Sequence, residues 1–299
     1  VIEGWRDPSQ AVAAYERWLA GLPLAERTRR EYARWVRLFC AWLADGADER
    51  ALGADPLRDP RARDYAARDF KRHVKLERGL GPASVNLALS AVDHFYRHLG
   101  MDRANVRREE LPRVAPRALD RDEQRLLLRA AERATARDRA LVVLMVFTAV
   151  RIGEAVALDV EDLRISPRKG IVIVRAGKGD AYREVPLNAL VRVVLEEWTK
   201  ERDKLARPGE HAVFITRAGA RLSPRAADAS VRRVARDAGL QLSAHVLRHT
   251  CLTNLVRQGE DLVMVAEIAG HAKIETTRRY SLPSTADRQA AVERLEAEF

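Results

Sequence analysis

Apolar residues recur at three- and four-residue spacing through the first hundred positions, in four stretches set apart by Pro, Gly and Asp. Asp7-Pro8 predicts the start of a helix carrying Tyr15, Trp18, Leu19 and Leu22, because proline suits the first helical position. Thr28 is the expected cap of a second, in which Tyr32, Trp35, Val36, Phe39, Trp42 and Leu43 share a face up to Gly46. Asp59-Pro60 opens a third that ends at Gly79, and Pro82 a fourth with Val85, Leu89, Val92, Phe95, Tyr96 and Leu99. Four helices with short connections predict a small bundle.

The rhythm then breaks. "EELPRVAPRA" (109–118) holds two prolines and no periodicity, so it reads as a linker between residues 1–108 and 119–299. Asp120 and Glu123 form a capping-box pattern, and the apolar run "ALVVLMVFTAV" (140–150) reads as a buried helix. "GIVIVRAGKGDAYREVPL" (170–187) alternates on both sides of a Gly-Lys-Gly-Asp turn, which predicts a β-hairpin, and "AVFI" (212–215) is a candidate third strand. Helices are expected at about 188–203, 224–238, 244–258, 261–269 and 274–281, with a last one beginning at Ser284. The fold class is mainly α with a small β-sheet, α+β.

Composition narrows the setting. A chain of 299 residues with 47% hydrophobic and 32% charged residues suits two folded domains. No apolar run reaches the roughly 20 residues of a membrane span, and the first residues do not read as a secretion signal. Cys40 and Cys251 are far apart, so neither a disulfide framework nor a cysteine zinc site is expected; a reducing, cytoplasmic location fits. The net charge of +10 favours a polyanionic partner, nucleic acid first. Arginine far outnumbers lysine, as high-GC coding also produces, so charge alone does not decide the matter. The excess is spread over both halves of the chain.

Candidate chemistry gathers in the second half. In "SAHVLRHT" (243–250), His245 and Arg248 lie three apart on one helical face, with His249 four from His245. An HxxxH pair is compatible with a metal, but Val246 stands where a zinc hydrolase needs glutamate, and Arg248 repels a dication. A phosphate suits the stretch better, held by a planar guanidinium at a helix start. The plainer alternative is a surface arginine beside a capped core histidine. Arg151 falls where the long apolar helix breaks, with Glu154 three residues on as an ordinary partner, and Lys178 sits at the hairpin tip, where a solvated turn lysine is the ordinary reading. Tyr280 follows Arg278 and Arg279 rather than sitting in an apolar stripe.

Taken in order, "TAVRIGEAVAL", "GKGDAYREVPL", "HVLRHT" and "AGHAKIETTRRY" resemble the catalytic domain of the tyrosine recombinases, the phage-integrase and Xer-type family. The likeness matches Arg151, Lys178, His245, Arg248, His271 and Tyr280 to that family's catalytic set. The helical first part is similar, less specifically, to the family's core-binding, DNA-binding domain. Departures exist: the family usually has Gly at Ala149, often Leu at Ala269, and commonly a basic residue near Ala181.

The resemblance implies a site-specific DNA recombinase that cuts and rejoins strands through a 3′-phosphotyrosyl intermediate and a Holliday junction, with no cofactor, metal or ATP. It implies Tyr280 as nucleophile, His245 as general base, Lys178 as general acid, and Arg151, Arg248 and His271 as stabilisers of the transition state. The implied partner is double-stranded DNA with paired sites, bound by a homotetramer that exchanges its C-terminal helix, where Val292, Leu295 and Phe299 lie; the plainer alternative is that this helix packs on its own domain. Three other readings stay open from sequence: a type IB topoisomerase, a non-catalytic DNA-binding regulator on the same fold, and a metal hydrolase using His245, His249 and His271.

Overall fold

The structure, a computed structural model, describes residues 7–45, 54–111, 116–175, 182–271, 274–282, 289 and 292–293. The chain divides into two compact units, Val1–Pro112 and Arg113–Phe299.

The first unit holds four helices among the described residues. Helix α1 (Pro8–Ala20) starts where Asp7 accepts from the Ser9 amide at 2.8 Å. Helix α2 (Glu26–Ala44) begins earlier than the Thr28 cap predicts. Its N-cap is Ala25, and Glu26 in the first turn pairs with Arg29 at 3.1 Å, so favourable charge at the helix start replaces a side-chain cap. Helix α3 (Pro60–Arg72) is capped by Asp59, which accepts from Arg61 and Ala62 amides, and continues as a π turn over His73–Glu77. Helix α4 is Pro82–His98. Tyr15, Trp35, Phe39, Phe70, Phe95 and Tyr96 fill the core between them, with Phe39 edge-on to Phe70 at 5.0 Å.

In the second unit, Asp120 and Glu123 form the reciprocal capping box of α5 (Arg121–Glu132). Helix α6 (Ala136–Thr148) is apolar on every side from Ala140 to Val146 because that part is central, packed by α5, by α8 (Ala189–Leu205) and by α10 (Ala244–Arg257). A short helix, α7 (Ile152–Ala157), leads to an antiparallel sheet in the order β1 (Leu163–Ile165), β2 (Gly170–Val174), β3 (Arg183–Pro186). The register pairs Leu163 with Val172 and Val172 with Val185.

The third strand is therefore Leu163–Ile165 and not 212–215. Ala212 and Ile215 make only isolated bridges, to Asp159 and Arg221. Their side chains are buried under α8, where Trp198 Nε1 donates to Val213 O at 2.8 Å, and that burial explains the strand-like apolar run. Helix α9 (Pro224–Asp237) is capped by Ser223, and α11 (Leu262–Ala269) by Asp261. Helix α12 (Ile274–Arg278) runs into a single 3-10 turn, Arg279–Ser281. The hairpin tip with Lys178 lies outside the described residues, as does most of the helix expected from Ser284. Among the described residues, no helix is long and apolar enough to cross a membrane.

Candidate active site

Three arginines from three parts of the second unit meet at the C-terminal end of α11. Arg183 Nε donates to Ile268 O at 3.0 Å, Arg248 Nη2 to Ala269 O at 2.7 Å, and Arg151 Nη2 to Gly270 O at 3.2 Å. The last carbonyls of a helix lack intrahelical partners and carry its partial negative charge, so each welcomes a cation. One arginine serves each carbonyl in turn, and the next residue is His271. Gly270 stops the helix at φ +62°, a conformation glycine adopts without penalty. Glycine is required for space as well, since a Cβ there would stand 2.6 Å from Arg183 Nη1.

Arg248 is 1% exposed, an unusual depth for a cation. It is tolerated because its donors are matched: Nη1 donates to Ala149 O, and Nη2 also lies 3.0 Å from His271 Nε2. Ala149 ends α6 in the left-handed region at φ 53°, turning its carbonyl toward the guanidinium. Burial, then the neighbouring Arg151, pull the Arg248 guanidinium down to about 10, which leaves it charged at neutral pH. His271 is oriented by Thr277, whose Oγ1 lies 2.8 Å from Nδ1. Burial and the adjacent Arg248 lower its imidazole to about 4.

Arg151 is exposed, and its partner is Glu154, as its helix spacing suggests: Nη1 to Oε1 is 2.7 Å, and the Arg151 amide reaches Oε2 at 2.8 Å. The same carboxylate receives Arg183, whose Nη2 lies 2.6 Å from Oε2 and Nη1 3.2 Å from Oε1. Burial pushes the Glu154 carboxyl up, but hydrogen bonds from Arg183 and Arg151 outweigh it and hold it below the ordinary range.

Tyr280 sits on the 3-10 turn beside this cluster, 7% exposed and packed against Ala149, Leu252, Val265 and Ala269. Its ring lies parallel to His271 with centroids 6.2 Å apart. Its hydroxyl lies 2.7 Å from His249 Nδ1. His245 is exposed and stands edge-on to His249, with ring centroids 4.1 Å apart. Burial raises the phenol above its ordinary range, while Arg248, Arg279 and Arg151 pull the other way.

Of the residues singled out in the sequence, Arg151, His245, Arg248, His271 and Tyr280 thus surround one locus. Lys178 lies outside the described residues. Two further residues belong to this cluster, Arg183 and His249. Arg183 had a signal: strand alternation puts it on the same face as the buried Val185, where an arginine needs an anion. His249 had one too: the four-residue spacing that suggests a metal pair equally puts it beside His245 on one face of the helix. Among the described residues, no group of three or more His, Cys, Asp and Glu is arranged to hold a metal ion.

Known proteins share both the sequence and the shape. The model of the phage integrase family matches residues 117–286. The tyrosine recombinase XerC of Pseudomonas aeruginosa is 38% identical over 216 residues, covering 69% of this chain and 70% of that one. The tyrosine recombinase XerD of Corynebacterium glutamicum is 30% identical over 287 residues, 88% of this chain and 91% of that one. The Tn1549 transposon integrase, solved with transposon right end DNA, superposes with a TM-score of 0.72 at 19% identity, covering 97% of this chain and 99% of that one. XerH bound to its difH substrate gives a TM-score of 0.67 at 24% identity, covering 89% and 80%. These two likenesses bear on the fold, and the sequence matches on kinship. The chain belongs to the phage integrase family, as a tyrosine recombinase of the Xer type.

Proposed function

We propose that Tyr280 is the nucleophile through which this recombinase cuts and rejoins DNA, and that Arg151, Arg248 and His271 hold the phosphate it attacks. The observation that carries this reading is the shared locus: the Arg248 guanidinium is 3.0 Å from His271 Nε2, and His271 faces the Tyr280 ring. Attack on phosphorus builds negative charge on the non-bridging oxygens of a five-coordinate state. Guanidinium groups anchored on protein carbonyls by part of their N–H set stabilise that charge with little reorganisation, each worth about 2–4 kcal/mol by analogy with oxyanion holes. Arginine cations then do the work that divalent ions do elsewhere, in keeping with a family whose strand transfer needs neither metal nor ATP. The bond to Tyr280 conserves the phosphodiester's energy for religation.

Lys178 is the proposed acid for the leaving 5′ oxygen, on the strength of the resemblance. The general base that the resemblance names is His245, on α10. Duplex DNA is the proposed substrate, contacted by both units through phosphate-directed arginines. The assembly proposed is four protomers on two sites. Exchange of the C-terminal segment is supported by exposed apolar side chains on α11, Val263 and Met264, and by exposed Val292.

A suicide-substrate assay tests the reading. The duplex is selected from a random library by binding to the Tyr280→Phe protein and resynthesised with a nick that lets the cut fragment escape. Wild type should accumulate a covalent protein–DNA band in EDTA. Tyr280→Phe should bind the same duplex and form none.

A further inference from the structure

We infer that His249, and not His245, is the residue that takes the proton from Tyr280 as the phenol attacks. The inference rests on the reading of Tyr280 as nucleophile and refines how that nucleophile is activated.

The geometry is direct. His249 Nδ1 lies 2.7 Å from the Tyr280 hydroxyl, within the range expected of a base and the proton it removes. His245 meets the His249 ring edge-on, with centroids 4.1 Å apart. The two histidines lie four residues apart on one face of α10, the helix that packs against the 3-10 turn of Tyr280. The hydroxyl donates and Nδ1 accepts, which requires the His249 tautomer protonated at Nε2.

The surroundings keep His249 unprotonated and ready to accept. Burial, then His245, Arg248, Arg279 and His271, lower its imidazole to about 4. These groups come from α10 itself, from the turn carrying Tyr280 and from the segment that follows α11. A free imidazole so low is a weak base. An entering phosphodiester changes that balance, because its negative charge, set among the same cations, makes an imidazolium at His249 easier to form.

The step is balanced as follows. The Tyr280 O–H bond breaks and its proton passes to His249 Nδ1, while the phenolic oxygen forms a bond to phosphorus. The bond from phosphorus to the 5′ oxygen breaks, and that oxygen takes a proton from the general acid. In religation the 5′ hydroxyl returns its proton to the conjugate base of that acid as its oxygen bonds to phosphorus, the bond from phosphorus to Tyr280 breaks, and the imidazolium returns its proton to the departing phenolic oxygen.

The experiment compares His249→Asn, His249→Ala and His245→Asn with wild type on the nicked duplex, at saturating protein and from pH 6 to 9. Asparagine at 249 keeps an oxygen near the position of Nδ1 and preserves the hydrogen bond without the basicity. Thermal melts and duplex binding establish that each variant is folded. His249→Asn should form the covalent complex about 10²–10³-fold more slowly at pH 7. Its rate should climb about tenfold per pH unit as hydroxide replaces the missing base. Wild type and His245→Asn should vary much less with pH. The inference is overturned if folded His249→Asn cleaves within a few-fold of wild type, or if the steep pH dependence belongs to His245→Asn instead. A covalent band from Tyr280→Phe would defeat the broader reading, and neither histidine variant could produce that result.

Discussion

Arg183 Nη2 lies 2.6 Å from Glu154 Oε2, and the same carboxylate holds the Arg151 guanidinium 2.7 Å away. Glu154 is thus a hub between an arginine that stays in the protein and one that faces outward. Arg183 also binds Ile268 O, tying the second strand of the hairpin to the segment that presents His271. Replacing Arg183 with Gln removes both ties, from a pair only 11% and 13% exposed. Because Arg151 continues to neutralise Glu154, the loss should be about 2–3 kcal/mol of stability in the catalytic unit. Urea denaturation checks that figure, and covalent-complex formation should slow about tenfold or more. Arg183→Lys should recover part of each effect.

Gly270→Ala confronts two obstacles at one position. The left-handed backbone alone costs an alanine about 1 kcal/mol, and the new methyl would displace the Arg183 fork. The variant should fold, with a melting point lowered by several degrees. Its cleavage should fall further than that modest destabilisation suggests, because His271 follows directly. Single-turnover cleavage at a temperature where both proteins are fully folded separates the two effects.

Arg248→Lys keeps the charge and loses the fork. A lysine ammonium is a single point and cannot span Ala149 O, Ala269 O and His271 as the guanidinium does. Cleavage should drop by about 10²-fold or more while duplex affinity changes little, since most affinity comes from other phosphate contacts. Gel-shift titration and the suicide assay, run on the same preparation, measure both quantities.

His249 and His271 each have an imidazole lowered to about 4 in the folded protein, against about 6.5 in an unfolded chain. The unfolded chain therefore binds more protons between these values, and their contribution to stability, complete above about 6.5, is lost as pH falls toward 4. The lowered Glu154 carboxyl works in the same direction at the acid end. Melting temperatures should decline from pH 7 to pH 4.5, and less steeply in the His249→Asn, His271→Asn double variant.

Much of this architecture was written in local signals. Pro8, Pro60, Pro82 and the Asp120–Glu123 box mark helix starts that the structure keeps, because capping depends on neighbours in sequence. Thr28 misled because charge at Glu26 started α2 without a cap. The run at 212–215 misled because burial beneath a helix and pairing in a sheet favour the same apolar residues. The third strand, Leu163–Ile165, is too short to announce itself. In the site, the order of the motifs was enough to nominate Arg151, His245, Arg248, His271 and Tyr280. What stayed hidden depends on tertiary packing: which α10 histidine meets a phenol thirty-one residues away, and which strand arginine closes on Glu154.

On this mechanism one phenolic oxygen, that of Tyr280, becomes joined to DNA. The most direct measurement is mass spectrometry of the trapped covalent complex after nuclease and protease digestion. A single nucleotide adduct on the peptide bearing Tyr280, absent from Tyr280→Phe, is the expected result. An adduct on any other residue, or a covalent complex that persists in Tyr280→Phe, would contradict it.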